Sequence, residues 1–318
     1  MRRGWSGVLV LLALGWASCA PAPKRPLAVG TVPWVGTEPF FLARELGLFS
    51  GPIHLVEYLN SEHEIRAFQN GVIDAAAVTV DEVLNLDRRG QQAQVVFVLD
   101  GSHGADCLMA RPEVTSVAEL RGRKVASEDV TLSTYMLARA LEQAGLKLED
   151  VQREYRARDA FAEALRTGEV DAVVAFEPFC QKLAAQGARR LFDSSQIPGE
   201  IIDVLVVRRS YLQANPEQVD ALIRGWLAAL AVLRERPAEA ARRMGPRVGL
   251  EEGAFLEALK GVRHPDLQEQ RLQLTGERPR LYETIERLGS VMVREQALPA
   301  LPDSRHLIDT APLLRVAP

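Results

Sequence analysis

Five carboxylates give the sequence its clearest chemical signal. Asp81, Asp100, Asp106, Glu177 and Asp203 each fall at or just after a run that reads as a β-strand. In open α/β sheets, ligands bind at the carboxyl ends of strands. Buried carboxylates need partners. The chain has only five lysines, Lys24, Lys124, Lys147, Lys182 and Lys260, so an internal partner would mostly be Arg. Two or more of these acids lining a cleft unpaired would call for a ligand with a positive amine or several N–H donors. An amino acid-like zwitterion, a polyamine-type cation or an aminopyrimidine fits; nitrate or a plain sulfonate is disfavoured. Capping and surface salt bridges would account for any one acid, and less easily for all five.

Three further groups could touch a ligand. In "VPWVGTEPFFLARELGLF", from Val32, Trp34 stands at the mouth of a helix beside Gly36 and Glu38. An aromatic face there can stack on a flat or cationic ligand, and Gly36 lets the backbone approach closely; Trp34 could instead pack under the helix. The polar, Gly-rich "DGSHGAD" adds Ser102 between Asp100 and Asp106. The loop "SEDVTLSTYM" carries Ser127, Thr131, Ser133 and Thr134 at a helix start. Hydroxyls and free N–H groups at such a start hold anions, although the same residues also serve as N-caps.

The elements that must position these residues alternate. "LAVGTV", "IHLVEY", "VIDAAAV" and "AQVVFVL" read as strands separated by helices, and the alternation restarts at "RKVAS". Such alternation predicts α/β architecture with mainly parallel sheets. "AFQNGVIDAAAV" and "ALRTGEVDAVVA" match in type along their length, each a helix end, a capping Gly and a strand with Asp74 or Asp171. This echo predicts two similar lobes, in which Thr79 and Asp81 would look across a cleft at Glu177. From Asn215 the pattern turns helical, with Val219, Leu222, Ile223, Trp226, Leu227, Leu230 and Leu233 on one face.

The 318 residues suit about two domains. A formal charge of -4 and the lack of a basic stripe argue against nucleic acid. There is no GxGxxG, GxxxxGK[ST], HExxH or GxSxG, and the five histidines show no metal-ligand spacing. Neither a catalytic residue, a cofactor nor a metal is expected. Cys107 and Cys180 lack CxxC spacing; no disulfide follows from a count of two, and both are expected as small buried hydrophobes.

The N-terminus carries Arg2 and Arg3, a short apolar run, then Ala17-Ser18-Cys19. It is too short for a membrane span and suits an export signal over 1–18. It resembles a bacterial lipoprotein signal, with Cys19 as the lipidated residue, although Trp16 stands where Leu is usual. Residues 19–26 read as an extended tether.

These motifs together resemble type II periplasmic solute-binding proteins of ABC importers, in the nitrate/sulfonate/taurine and thiamine-pyrimidine-precursor branch. The residues that carry the resemblance are "W-x-G-x-E-P-F-F-L-A-R-E-L-G-L-F" from Trp34 and the two "G-x-[IV]-D-A" repeats at Gly71 and Gly168. "LRGRKVA", "FEPF" and "DVLVVRRSYLQANPEQV" follow at the family's intervals. The resemblance implies a discontinuous first lobe (27–108 plus 206–318, with the helical C-terminal part packed on it) and a second lobe (109–205). Hinges are expected near "CLMARP" and "VLVVRR", and the lobes would close around a small ligand. It implies a monomer with a small-molecule ligand, an ABC permease and ATPase as partners, and a membrane attachment through the lipid. A sensing subunit with the same clamp is an alternative. Pyrimidine and menaquinone-precursor enzymes share the fold, but no Lys lies between Lys24 and Lys124 to serve as the synthases' cofactor-linking lysine.

Overall fold

A computed structural model of the protein describes residues 25–301 and 303–316. The expected export signal, Cys19 and the expected tether up to residue 24 lie outside the described residues. Arg25 is already anchored, donating to Asp74 at 2.6 Å.

Two sheets form the frame. The first has the order β11-β4-β10-β3-β1-β2 and the second β7-β6-β8-β5-β9. The first contains β1 (Leu27–Thr31), β2 (Ile53–Glu57), β3 (Ala75–Thr79), β4 (Ala93–Ser102), β10 (Ile202–Arg208) and β11 (Val262–Arg263). The second contains β5 (Asp106–Ala110), β6 (Lys124–Ser127), β7 (Gln152–Tyr155), β8 (Ala172–Phe176) and β9 (Arg189–Asp193). Helices α1 (Pro39–Glu45), α2 (Ser61–Gln69), α3 (Val80–Arg88) and α4 (Thr131–Gln143) follow β1, β2, β3 and β6. A helical crossover is what parallel neighbours require, and β1 pairs parallel with β2 and β3, as β6 does with β7 and β8. The α/β class holds, with each sheet mixed rather than mainly parallel. β10 and β5 arrive from the opposite lobe and pair antiparallel with their neighbours.

The chain changes sheets between Ser102 and Asp106 and again between Asp193 and Ile202. Both crossings precede the expected hinges. "CLMA" is a buried strand bonded on both sides, by β8 and β9, and "VLVVR" lies inside β10. The buried Ser194 hydroxyl joins the crossings, 2.7 Å from Ser102 Oγ and accepting the Gly104 N–H at 2.7 Å. Glu200 ties the lobes together again. It accepts from the Tyr135 hydroxyl at 2.6 Å and Arg139 at 2.8 Å on α4, and from Arg287 at 3.2 Å on the helix Arg280–Arg294.

The helix echo is structural. Gly71 and Gly168 both take positive φ, 70° and 74°, the conformation glycine adopts without strain. The echoed acids bind arginines: Asp74 holds Arg25 and Asp171 holds Arg123 at 3.0 Å.

Cys107 and Cys180 are fully buried, as expected, but are joined by a disulfide with Cα atoms 6.2 Å apart. The 73-residue separation concealed it. The β5–β8 register sets Cys107 opposite Ala175, close to the start of the helix Phe179–Ala185 that carries Cys180. The C-terminal segment is packed: Ile308 bridges to Val95 and Leu313 is fully buried.

Helix α1, which fixes the Trp34 turn, is held by the long helix Pro216–Glu235. Phe40 meets Trp226 with ring centroids 4.4 Å apart, and both are buried. Trp226→Ala is expected to cost about 3–5 kcal/mol, the range for truncating a buried aromatic. Calorimetric melting measures it; a loss below about 1 kcal/mol would mean α1 is held by other contacts.

Candidate ligand cleft

The carboxyl ends of β1 and β3 face the second lobe across a cavity with two adjoining compartments, of 70 and 60 Å³. One water needs about 10–15 Å³ on this measure, so the space suits a compact molecule. Both compartments are lined by Ser61, Thr79, Glu82, Asp106, Leu132 and Phe176. Trp34 and Asp203 complete the first, and Ser133, Glu128 and Arg158 the second.

Trp34 lies on the wall, its ring edge-on to Phe176 of the other lobe at 5.8 Å. Its Nε1–H donates to the Asp100 carboxylate at 3.3 Å. Gly36 makes room for this contact: a Cβ there would stand 2.3 Å from both Asp100 Oδ2 and Trp34 Nε1. Gly36 therefore supports the wall and does not form it. Its carbonyl accepts from His264 Nε2 at 2.8 Å, and burial lowers that imidazole to about 4, leaving it neutral.

Six carboxyls gather around this cavity. Asp203 is the cross-strand neighbour of Asp100 on one side and Thr79 on the other. Asp106 begins β5, its N–H donating to Ser102 Oγ at 3.1 Å. Glu82 accepts the Thr79 N–H at 3.0 Å. Glu64 is fully buried beside the Ala77 backbone N–H, with neither oxygen in a well-formed hydrogen bond. Asp81 is buried beside the Thr79 hydroxyl and the Leu132 N–H, with neither oxygen in a well-formed hydrogen bond. Among the described residues none of the six joins a salt bridge.

Their ionisation follows from this. Burial, then the Asp81 charge, pushes Glu82 up to about 7. Burial lifts Asp100 to about 7 against the Trp34 and Asp203 hydrogen bonds. Asp106 reaches about 6 through burial, with Asp81 and Glu177 adding to it and Ser102 opposing. Burial lifts Asp81 to about 6. Asp203 is held well above the carboxylate range by burial and the charges of Asp100, Asp106 and Glu82. Glu64 is held high by burial and Glu82.

Other expected residues stand elsewhere. Glu38 is buried off the cavity against Arg247 at 2.8 Å, because its place ahead of α1 turns it into the helical part of the first lobe. Glu177 accepts the Gln181 N–H at 3.2 Å and faces Arg190 at 3.5 Å, behind Phe176. Ser102 and Asp100 reach a separate space of 190 Å³ near the crossings. In the hydroxyl loop, Ser127 donates to the Glu128 carbonyl at 3.0 Å, and Thr131 accepts from Asn85 of the first lobe at 3.1 Å. Thr134 lies off the cavity, within the first turn of α4, where its N–H reaches the Val130 carbonyl. Of the four hydroxyl residues expected there, only Ser133 reaches the cavity wall.

Six polar wall residues escaped the sequence reading: Thr37, Asn60, Ser61, Glu82, Glu128 and Arg158. Glu82 was legible only as the fourth residue of the capping sequence "TVDE". It does cap the helix, and it also faces the cavity. Arg158 lies over Phe176 at 4.8 Å, pairs with Glu128 at 3.1 Å and donates to the Leu59 carbonyl of the other lobe at 3.2 Å.

Two α/β lobes, two crossings and a cavity between them define the periplasmic binding-protein fold. The chain belongs to the NMT1-like family, which it matches over residues 20–245. A protein of Escherichia coli (strain K12) named for binding aliphatic sulfonates is 26% identical over 159 residues, 50% of this chain and 47% of that one. The taurine-binding periplasmic protein of the same organism is 26% identical over 192 residues, 57% of this chain and 59% of that one. The matched stretches thus span about half the length of these relatives. The crystal structure of the periplasmic aliphatic sulphonate binding protein SsuA from Escherichia coli superposes with a TM-score of 0.75 at 20% identity, covering 90% of this chain and 97% of that one.

A carboxyl whose folded pKa is raised contributes stability below its unfolded value of about 4, and that contribution is lost as pH rises through the folded value. With Asp81, Glu82, Asp100 and Asp106 at about 6–7, the unliganded protein should melt at a lower temperature at pH 8 than at pH 5. Asp203→Asn should flatten that slope. A melting temperature that holds or rises over this range would show that the acids have partners.

Proposed function

We propose that this protein is the extracytoplasmic solute-binding component of an ABC import system, lipid-anchored at Cys19. Its two lobes would close on a small amine-bearing ligand, and the protein performs no catalysis. The observation that carries the reading is the set Glu82, Asp106 and Asp203 lining one cavity without an ion pair. A positive amine supplies the charge that wall lacks, and a plain sulfonate does not. An amino acid-like zwitterion, a polyamine-type cation or an aminopyrimidine meets the requirement. The relative named for taurine supports the zwitterion form, since taurine carries an amine beside its sulfonate. The contacts Asn85–Thr131 and Arg158–Leu59 join the lobes around the cavity, which supports closure around the ligand. Both described cysteines are consumed in a disulfide, so neither offers a thiol nucleophile.

A thermal-shift screen over zwitterions, polyamines, aminopyrimidines, sulfonates and oxyanions tests the ligand class. A compound at 100 times its dissociation constant stabilises by about 2.7 kcal/mol. Stabilisation by amine-bearing compounds is the expected result, and Asp106→Asn should weaken the binding at least about tenfold, roughly 1.4 kcal/mol. Stabilisation by oxyanions or plain sulfonates alone would overturn the amine reading. Cys19→Ala should move the protein from membrane to soluble fractions; unchanged partition would remove the anchor.

A further inference from the structure

We propose that ligand and protons exchange in the cleft: an ammonium group seated among Glu82, Asp106 and Asp203 displaces protons that the carboxyl cluster holds when the site is empty. Binding then releases protons, and affinity rises with pH. The inference rests on the amine-bearing ligand proposed above.

The geometry leaves the cluster short of positive charge. Asp203 and Asp100 are paired across adjacent strands, where side chains stand about 5 Å apart, so the charge of one opposes ionisation of the other. Asp106 and Glu82 open onto the same cavity. Behind them, the Glu64 and Asp81 oxygens lack well-formed hydrogen bonds. Carboxylates this close, removed from water, cannot all ionise.

Every other charged group facing the cavity is already committed. Arg158 from the segment before the helix Phe161–Thr167 pairs with Glu128. Arg190 of β9 faces Glu177 and Asp193. His264 is neutral and bonded to the Gly36 carbonyl. Among the described residues, the donors beside the acids are neutral: the Trp34 N–H, the Ser102, Thr79 and Ser61 hydroxyls and backbone N–H groups.

Protons must therefore hold the empty cluster near neutrality. An incoming R–NH3⁺ brings one positive charge, and one carboxyl proton leaves to solvent for each charge gained. The cluster ends with the same net charge and stronger hydrogen bonds. Because Asp203 feels Asp100, Asp106 and Glu82 together, the released proton need not come from a residue that touches the ligand.

The test titrates the full chain with taurine, β-alanine and putrescine in weakly buffered salt, reading proton release with a pH electrode and heat by calorimetry. For the probe that binds, about one proton released per molecule at pH 7 is expected. Affinity should gain up to about tenfold per pH unit between pH 5.5 and 7.5 for each proton released. Glu82→Gln and, separately, Asp203→Asn should each cut the release. Binding with no proton release and with affinity flat in pH would overturn the exchange while leaving the amine-bearing ligand standing. Methanesulfonate binding where all three amines fail would overturn both. Carbon-13 carboxyl resonances of the unliganded protein test the cluster without any ligand. At least one should titrate above pH 6, and titration of all below pH 5 would contradict the proposal.

Discussion

Taking a carboxylate out of water costs several kcal/mol unless a cation or a set of hydrogen bonds compensates. Most of the structure meets that requirement with arginine. Buried Glu38 faces Arg247, Glu200 collects Tyr135, Arg139 and Arg287, Asp220 holds Arg315, and Asp74 holds Arg25. The chain carries 38 basic residues, only five of them lysine, so arginine was not scarce. The cleft stands apart because, among the described residues, six of its acids have no arginine partner, the one arginine on its wall, Arg158, being held by Glu128. On the proposed reading, this exception in an otherwise arginine-paired interior suits a positive charge brought by the ligand.

The two crossings of the chain are what create this concentration. Asp100 ends one sheet, Asp106 opens the other, and Asp203 stands where the chain returns, so acids distant in sequence become neighbours. Ser194 pins the crossings to each other, and Glu200 holds α4 to the C-terminal helices. Gly36 allows the Trp34 indole to reach Asp100, while the cavity-facing acids have only neutral donors of their own, such as the Thr79 N–H on Glu82. The same contacts that fix the lobes thus fix the electrostatics of the space between them.

Much of this was legible in the sequence for physical reasons. Strand–helix alternation gave the class, and the Gly71 and Gly168 echoes gave the recurring helix–strand unit. Acids at strand ends gave the cleft's charge, with Asp106 and Asp203 on its wall. Direction was harder to read. Glu38 lies one turn from Trp34 in sequence, yet points to Arg247, because the side of a turn that a residue faces depends on the helix that follows. Glu177 was placed at the wall, but the neighbouring Phe176 occupies it. Glu82 escaped notice because a capping glutamate needs no second role. The Cys107–Cys180 bond depends on a β-register that no local pattern encodes. The sheets proved mixed because strands that cross between lobes return in the opposite sense.

The most direct measurement is a crystal structure, at pH 7, of the protein with the tightest-binding amine compound. The account predicts the ligand nitrogen about 2.7–3.1 Å from carboxylate oxygens of Asp106 and Asp203, with Glu82 beside it and Trp34 against its carbon skeleton. A nitrogen directed to solvent, with an acid group of the ligand set among those carboxyls, would contradict it.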